Sequence, residues 1–381
     1  MSRVRVAGAA INQTPLDWSG NLTRICDAIE RAREEEVSIL CLPELCITGY
    51  GCEDAFHSPS LHRTALEVLH ECAAATKGML VSVGLPLFHQ SAVFNCACLL
   101  ADGKIVGFVP KRYLASEGLH YEPRWFRPWP TGVRDRIHIR GQWYPIGDYV
   151  FDVGGIRIGF EICEDAWVPH RPGAELAARG VDIILNPSAS HFSFGKHEIR
   201  KRFVVEGSRS FRVGYVYANL LGNEAGRVIY DGGVLIATAG QLLAAGPRFA
   251  FHPVVVTSAS VDVEMNRMSR ARSAGFQPGL VLDRDVTISI PWSYPDVEPR
   301  FEHPHVASWE LGPHVKEEEF TRAVMLGLFD YLRKSRAQGF VVSVSGGADS
   351  SAVACLVALM IEASYNELGH EGFCQALAHI P

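Results

Sequence analysis

Residues 37–44 read VSILCLPE, a stretch in which an apolar run stops at a proline and a carboxylate follows at once. The run Val37–Leu42 is too short for a helix, so it predicts a buried β-strand. Residues 21–36, just before it, carry apolar side chains at helical spacing and predict an amphipathic helix. A helix that leads into a buried strand is the repeating unit of α/β proteins, and here it places Glu44 at the carboxyl end of a strand.

The same alternation of strands and helices extends to both sides of this stretch, as far as about residue 265. Asp102-Gly103 and Ala239-Gly240 lie between apolar runs and predict two hairpins. Residues 115–149 carry tryptophans among prolines and arginines, which predicts a long irregular loop of functional importance. Further strands are predicted at Val4–Ile11, Met79–Leu85, Ile156–Ile162, Ile183–Leu185, Tyr215–Ala218 and Val254–Val261, and further helices over 61–77, 175–179 and 197–210. The pattern is that of an α/β fold whose sheet is covered on both faces.

The composition excludes several classes of protein. Of the 381 residues, 48% are hydrophobic and 20% are charged, which is typical of a soluble globular chain and not of a disordered one. The net charge of −6 argues against a protein that coats nucleic acid. No apolar run reaches the ~18–20 residues of a membrane span. The ten cysteines include no C-x-x-C pair, and the N-terminal segment is expected to be a first strand and not a signal peptide, so we expect reduced thiols in a cytoplasmic protein.

The chain divides into three predicted segments. Residues 1–267 hold the α/β alternation, and residues 268–315 are rich in Pro, Arg, Ser and His without helical periodicity. Such a segment is typical of a linker or of a strap that lies on a partner surface. Residues 316–381 contain the first elements of a second α/β domain. We expect the chain as given to be a fragment of a longer enzyme or a truncated product.

The third segment has its own predicted order of elements. Lys316–Arg336 is predicted as an amphipathic helix that Gly339 ends, followed by the strand Phe340–Val344 and a helix over Ala352–Ala363. The apolar stripe of the first helix is expected to consist of Phe320, Val324, Leu328 and Leu332.

Three chemically useful side chains follow three predicted strands. Glu44 follows SILCLP, Lys111 follows KIVGFVP and Cys163 follows IRIGFEI. Strand ends of an α/β sheet line one crevice, so these residues are expected to converge. A cysteine is a nucleophile, a glutamate can take its proton, and a lysine can hold the charge of an oxyanion. The set is sufficient for acyl transfer through a thioester, although each residue taken alone also fits a structural role.

A glycine-rich turn lies between the predicted strand and helix of the third segment. It reads SGGADSS, residues 345–351, and its polar and glycine residues are candidates to hold a phosphate group. Backbone N–H groups at a helix N-terminus bind anions, and glycines let a phosphate approach closely. The turn lacks the Gly-Lys-Ser/Thr of a Walker A loop. The candidate phosphate-binding residues are Ser345, Gly346, Gly347, Asp349 and Ser350.

The segments around the three strand ends resemble the three catalytic segments of the nitrilase, or carbon–nitrogen hydrolase, superfamily. They read LCLPELCITGYGCEDAF (40–56), FVPKRYLASEGLHYEPRWF (108–126) and IGFEICEDAW (158–167). NPSASHFSFGKHEIR (186–200) and YANLLGNEAGRVIYDGG (217–233) are further similar to the glutaminase domains of glutamine-dependent NAD synthetases.

This resemblance implies a four-layer αββα sandwich with Cys163 as nucleophile, Glu44 as general base and Lys111 as oxyanion stabiliser. Glu122 lies where the superfamily often has a second glutamate beside the lysine. Ser190 and Lys196 lie in the segment that shapes the glutamine pocket. The family usually forms homo-oligomers.

SGGADSS similarly resembles the PP-loop of ATP pyrophosphatases, which implies ATP with Mg²⁺ as substrate and no tightly bound cofactor. In the resembled synthetases, that domain adenylates deamido-NAD, and ammonia from glutamine then displaces AMP to form NAD. A stand-alone amidase remains the alternative function, and a non-catalytic scaffold is a third. The scattered histidines, among them His57, His191, His197 and His314, have no zinc-site spacing, so no metal site is expected.

Overall fold

Two large β-sheets lie face to face, and helices cover both outer sides. The computed structural model describes residues 3–224, 226–279, 287–299, 303–304 and 306–381. In the described residues the strands are Arg3–Ile11 (β1), Ile39–Cys41 (β2), Leu80–His89 (β3), Ala92–Ala101 (β4), Lys104–Pro110 (β5), Arg134–Ile139 (β6), Gln142–Gly147 (β7), Val150–Val153 (β8), Ile156–Phe160 (β9), Ile183–Ser188 (β10), Gly214–Asn219 (β11), Leu221–Asn223 (β12), Ile229–Asp231 (β13), Leu235–Thr238 (β14), Gln241–Ala245 (β15), Val254–Asp262 (β16) and Thr287–Ile290 (β17). The helices are Trp18–Glu34 (α1), Pro59–Ala75 (α2), Glu122–Trp125 (α3), Pro172–Ala178 (α4), Lys196–Phe211 (α5), Val263–Ala271 (α6), Val315–Ser335 (α7) and Ala348–Ala376 (α8).

The strand order shows how the chain builds each sheet. The first sheet runs β16-β1-β2-β3-β4-β5-β7-β6 and the second runs β15-β14-β11-β10-β9-β8-β17. The central pairs β1–β2–β3 and β9–β10–β11 are parallel, whereas the hairpins are antiparallel. The predicted α/β class and four-layer αββα sandwich are confirmed.

The core follows from the two-residue period of the strands. In β1, Val4 and Val6 join the cluster between the two sheets, whereas Ala7 and Ala9 join the cluster under α1 and α2. Successive side chains of a strand point to opposite faces, and both faces of this sheet are covered. A third cluster, which includes Val204 of α5, covers the outer face of the second sheet. The strands are therefore apolar on both faces, as their sequences predicted.

Residues 115–149 are more regular than predicted. They contain α3 and the hairpin of β6 and β7, in which Ile139 pairs with Gln142. The two turn residues, Arg140 and Gly141, both have positive φ, of 48° and 83°. A two-residue turn with this backbone matches the twist of paired strands. The prediction of an irregular loop was wrong because polar and aromatic residues hid this short hairpin.

The segment predicted as a linker also contributes to the sheet. β17 pairs in parallel with β8, with Thr287 opposite Val150, and forms an edge of the second sheet. α6 extends from the end of β16 to Ala271. Residues 280–286, 300–302 and 305 of this segment lie outside the described residues.

Helix α7 forms where it was predicted, and Leu332 of the expected stripe is buried, but much of its buried face is different. Phe320 of the expected stripe is 49% exposed, whereas Leu326, Phe329 and the charged Asp330 are buried. The spacing of apolar residues predicted the wrong buried face because polar residues such as Asp330, which have buried partners, were counted as surface residues. The helix ends at Ser335, and its C-cap residue is Arg336, with a φ of 57°, and not Gly339.

The strand predicted at Phe340–Val344 does not form. These residues have no regular structure, and Val341 is fully exposed. A strand is stable only when a neighbour takes up its hydrogen bonds, and the described residues offer none here. α8 follows the loop, and Gly369 interrupts its helical backbone. By length and hydropathy alone, α8 could cross a membrane; this test is weak evidence, because core helices of soluble proteins also pass it.

Candidate active site

The three predicted catalytic residues come from both sheets and are all buried. Glu44 follows β2, Lys111 follows β5, and Cys163 begins the 3₁₀ turn Cys163–Ala166 after β9. Their exposed fractions are 1%, 1% and 5%. The site thus lies at the strand ends, in the layer between the two sheets, as predicted from the carboxyl ends of the strands.

Lys111 lies between two carboxylates. Its Nζ donates to Glu44 Oε1 at 2.6 Å and to Glu122 Oε1 at 2.7 Å. Burial opposes the charge of Lys111, but Glu122 and Glu44 outweigh it and hold the pKa of the ammonium well above its ordinary value. The third N–H has no protein partner in the described part of the chain, so it is available to a developing negative charge.

Glu44 is held by donors on both of its oxygens. Asn95 Nδ2 donates to Oε1 at 2.7 Å, and the Ala189 backbone N–H donates to Oε2 at 3.0 Å. Burial raises the pKa of Glu44 to about 7, although Lys111 opposes the rise. A carboxylate with such a pKa accepts a proton readily at neutral pH, as a general base requires.

Cys163 has a strained backbone at the point where its strand ends. Its φ is 45°, in the left-handed backbone region that residues other than glycine rarely occupy. The Ala189 N–H that donates to Glu44 also favours the Cys163 thiolate and so opposes the rise in the pKa of the thiol. Burial and then Glu44 raise the pKa of the thiol, and Lys111 opposes them. The resting group is a thiol, and attack therefore requires a base.

A glycine of β3 makes room for the turn that carries Glu44. A Cβ at Gly84 would lie 2.2 Å from the Leu45 backbone nitrogen and 2.9 Å from the Glu44 carbonyl carbon. Both atoms belong to backbone, which cannot move aside cheaply. Leu45 itself has a φ of 51°. The turn that carries Glu44 thus packs against β3 at Gly84, where the strand has no side chain.

Asp165 is a site residue that the sequence analysis missed. Its carboxylate accepts backbone N–H bonds from Ile162 at 2.9 Å, from Tyr113 at 2.9 Å and from Arg112 at 3.2 Å. It therefore ties the turn of Cys163 to the segment that follows Lys111. Its position two residues after the cysteine, within a turn, was the available signal, since aspartate commonly binds nearby backbone N–H groups.

Glu122 lies at the start of α3 and contacts a second missed residue. The Tyr50 hydroxyl donates to Glu122 Oε1 at 2.7 Å, the same oxygen that accepts from Lys111. The Ala115 N–H donates to Oε2 at 2.9 Å. The predicted position of Glu122 beside the lysine is thus observed, and Tyr50 belongs to the same group.

Ser190 and Lys196 lie near the site in different ways. The Ser190 hydroxyl accepts a hydrogen bond from Arg200 Nε at 3.2 Å, and Ser190 is buried. The Lys196 ammonium lies 5.5 Å from the centre of the Trp167 ring. Burial and the charge of Arg200 lower the pKa of Lys196 to about 8, while Cys163 opposes this effect. Contact with a substrate remains a prediction for both residues.

Two partly buried histidines lie between Tyr50 and Lys196. His191 Nδ1 is 2.8 Å from His120 Nε2, and His120 Nδ1 is 3.2 Å from the Tyr50 hydroxyl. Burial, followed by the charge of Lys196, lowers the pKa of each imidazole to about 4. Both rings are therefore neutral when the protein is folded at neutral pH.

This pair predicts a loss of stability in mild acid. The unfolded chain takes up protons at His120 and His191 below about pH 6.5, whereas the folded chain takes them up only near pH 4. Between these values the unfolded state binds more protons, so stability falls as the pH falls. In the double variant His120→Asn/His191→Asn, the melting temperature should decline less steeply over this range. The exposed His138→Asn is the control, and an unchanged slope in the double variant would contradict the prediction.

The glycine-rich loop is separate from this site. Gly346 has a φ of 83°, and Ser350 Oγ donates to the Gly347 carbonyl at 3.2 Å. The loop is largely exposed and leads into the N-terminus of α8. In the described part of the chain no hydrogen bond joins it to Glu44, Lys111 or Cys163. Its role in phosphate binding remains a prediction.

Comparison with known proteins identifies the class that this fold and site define. The family model for carbon–nitrogen hydrolases matches residues 3–270, and that for NAD synthase matches residues 320–370. The first match covers most of the chain, so the chain belongs to the carbon–nitrogen hydrolase family. An amidase of Nesterenkonia sp. shares the fold, with a TM-score of 0.54 at 22% identity over 70% of this chain and 94% of its own.

Within this class, the similar relatives are glutamine-dependent NAD(+) synthetases. The chain is 33% identical to that of Homo sapiens over 376 residues and 34% identical to that of Saccharomyces cerevisiae over 370 residues. A crystal structure of a synthetase from Cytophaga hutchinsonii is 43% identical, with a TM-score of 0.81 over 99% of this chain and 55% of that one. The chain spans about half the length of the curated relatives it matches, 52% in both cases. The resemblance that the motifs predicted is confirmed.

Proposed function

We propose that this chain hydrolyses the side-chain amide of glutamine and supplies the ammonia to an ATP-dependent amidation of deamido-NAD. The observation that carries the proposal is the buried contact of Lys111 with Glu44 and Glu122, beside a strained cysteine. Thiol, carboxylate and ammonium are the three groups that thioester chemistry on an amide needs.

In the first half of the reaction, Cys163 Sγ attacks the amide carbon while Glu44 takes the thiol proton. The free N–H of Lys111 stabilises the oxyanion of the tetrahedral intermediate. Glu44 passes the proton to the leaving nitrogen, so the carbon–nitrogen bond breaks with release of ammonia and leaves a thioester. The raised pKa of the thiol makes this proton transfer necessary during the attack.

In the second half, water replaces ammonia. Glu44 takes a proton from the water as its oxygen attacks the thioester, and Lys111 again holds the oxyanion. The carbon–sulfur bond then breaks, the proton returns to sulfur, and glutamate leaves. Glu122 and Tyr50 keep the ammonium in place, because Glu122 binds both of them through one oxygen. Lys196 and Ser190 are the residues proposed to shape the glutamine pocket.

The second activity is supported by the SGGADSS loop and by the NAD synthase match over residues 320–370. In this proposal the loop holds the pyrophosphate of ATP, which enters as substrate with Mg²⁺. The carboxylate of deamido-NAD attacks the α-phosphate of ATP, so pyrophosphate leaves and an acyl adenylate forms. Ammonia then attacks the acyl carbon, AMP leaves, and the amide of NAD is formed. We further propose that the enzyme is cytoplasmic and homo-oligomeric.

Two assays test the proposal. Incubation of the chain with L-glutamine should release ammonia and glutamate in equal amounts, with L-asparagine and propionamide as comparison substrates. A stand-alone amidase would prefer the short aliphatic amide, and that result would overturn the glutamine assignment. For the synthetase half, the full-length gene product should form AMP from ATP, deamido-NAD and ammonia. Absence of AMP would leave only the amidase function.

The acid limb of the pH profile should report Glu44. Because burial raises the pKa of this carboxyl to about 7, we expect kcat/KM for glutamine to fall about tenfold per pH unit below that value. The base is active when it is deprotonated, so the rate rises with pH through this midpoint. Glu44→Gln should lose activity by a factor of about 10²–10⁴. A wild-type rate that stays constant down to about pH 5 would rule out this assignment.

A further inference from the structure

Helix α7 contacts the hydrolase fold through charged side chains that are fully buried. The side chain of Asp330 is 0% exposed and that of Lys334 is 3% exposed. Burying a charge is costly unless it is paired and hydrogen-bonded. The proposed mechanism uses neither residue, so their partners indicate what they hold in place.

Asp330 binds the end of β1 and the backbone of β12. Its carboxylate accepts from Asn12 Nδ2 at 2.9 Å and from the Asn223 N–H at 2.7 Å. Arg333, one helical turn later, donates to it at 2.8 Å. A Cβ at Gly222 would lie 2.2 Å from Asp330 Oδ2, so only a glycine leaves room for this carboxylate.

Lys334 uses all three N–H groups of its ammonium. They donate to Asn12 Oδ1 at 2.6 Å, to the Gln13 carbonyl at 2.8 Å and to the Asn223 carbonyl at 2.6 Å. Burial lowers the pKa of Lys334 to about 8, and Asp330 opposes this. The lysine thus fixes two separate segments of the hydrolase fold to the last turn of α7.

The next residue after Asn223 reaches the active-site loop. Glu224 Oε1 accepts from the Tyr50 N–H at 2.8 Å, and Oε2 accepts from the Gly51 N–H at 2.7 Å. A Cβ at Gly51 would lie 2.9 Å from this carboxylate. Glu224 therefore holds two consecutive backbone N–H groups, beginning at Tyr50, and the glycine permits the approach.

Tyr50 completes the path to the catalytic ammonium. Its hydroxyl donates to the oxygen of Glu122 that also accepts from Lys111. The contacts thus run without a break from Lys334, through residues 223–224 and Tyr50, to Glu122.

We propose that Lys334 and Asp330 are positioning residues for amide hydrolysis, which hold Tyr50 against Glu122 through Asn223 and Glu224. The inference rests on the proposed function, and it adds a consequence for the second activity. α7 ends at Ser335, and residues 336–344 join it to the SGGADSS loop. A displacement of α7 would therefore loosen the site that releases ammonia.

A double-mutant cycle on the 381-residue chain tests this. Lys334→Met and Tyr50→Phe should each lower kcat for glutamine about tenfold, because a small misplacement of catalytic groups is costly. KM should change by less than about threefold, and the double variant should be no slower than the slower single variant. Lys316→Met, at the other end of α7, is the matched control and should retain the wild-type rate. Effects that multiply in the double variant would overturn the proposal.

Two further measurements separate positioning from folding and from the proposed function. Asp330→Asn/Lys334→Met removes both charges, so it should regain much of the stability that Lys334→Met loses while kcat stays low. Recovery of wild-type kcat per folded molecule would show a purely structural role. If the wild type hydrolyses no glutamine, the proposed function fails, and the alkylation rate of Cys163 by iodoacetamide still tests the inference. The alkylation rate, measured on the peptide that contains Cys163, should change severalfold in Lys334→Met. An unchanged rate would refute the positioning role of Lys334.

Discussion

Cys163→Ala should abolish glutamine hydrolysis and leave the fold intact. Loss of a nucleophile that acts as one unit with its base lowers kcat by about 10⁴-fold or more. The thiol is buried, yet alanine differs from it by one sulfur atom and leaves the bonds of Asp165 to the turn unaffected. Ammonia release measures the activity, and the melting temperature measures the fold.

Cys355→Ala is the matched control, because this cysteine is exposed on α8 and far along the chain from the site. It should retain the wild-type rate. A glutamine-like electrophile should label Cys163 in the control and fail to label it in Cys163→Ala. Normal ammonia release by Cys163→Ala would refute the nucleophile assignment, and failure of the wild type to be labelled would favour a non-catalytic scaffold.

Lys111→Met should be the most destabilising of the substitutions considered. It leaves Glu44 and Glu122, which share this ammonium, buried without their cation. Removal of one partner from a buried ion pair costs about 3–5 kcal/mol of stability. Loss of an oxyanion donor should lower kcat by a further factor of about 10²–10³. Denaturant unfolding and glutamine turnover measure the two effects.

The pH dependence of this loss has a defined sign. Without the cation that opposes the rise in the pKa of Glu44, the folded state of Lys111→Met binds a proton at Glu44 more readily than the unfolded state does. The stability of this variant then falls as the pH rises. The difference in unfolding free energy between the variant and the wild type should therefore decrease as the pH is lowered from about 8 to about 5. Lys111→Arg should fold better but remain inactive, because a planar guanidinium does not replace a compact ammonium. Near-normal turnover in Lys111→Arg would contradict the oxyanion role.

Sequence spacing was sufficient to place three chemically useful side chains at strand ends. Glu44, Lys111 and Cys163 each follow an apolar run, and a run of that length marks a strand end without any knowledge of its neighbours. It failed for residues 140–141, where a two-residue turn of polar and glycine character makes a hairpin. It also failed for the strand at Phe340–Val344, because a strand forms only beside a partner that takes up its hydrogen bonds.

The groups that hold the site in place had no local signal. Asn95 donates to Glu44 across 51 positions of the sequence, and Asn12 donates to Asp330 across 318 positions. Tyr50 lies in the quoted GYG motif, yet nothing near it in the chain points to Glu122. Such pairs become visible only when the folded backbone brings their segments together.

The order of residues along the chain determined most of the elements, the α/β class and the candidate reacting groups, since these depend on local spacing and on side-chain chemistry. Tertiary structure alone decided which polar side chains are buried and what they bind, because a buried charge is stable only beside partners from distant segments. Lys334 shows the difference. A lysine near the end of a helix is ordinarily expected in solvent, whereas in the fold the Lys334 ammonium donates to three oxygens of the hydrolase unit.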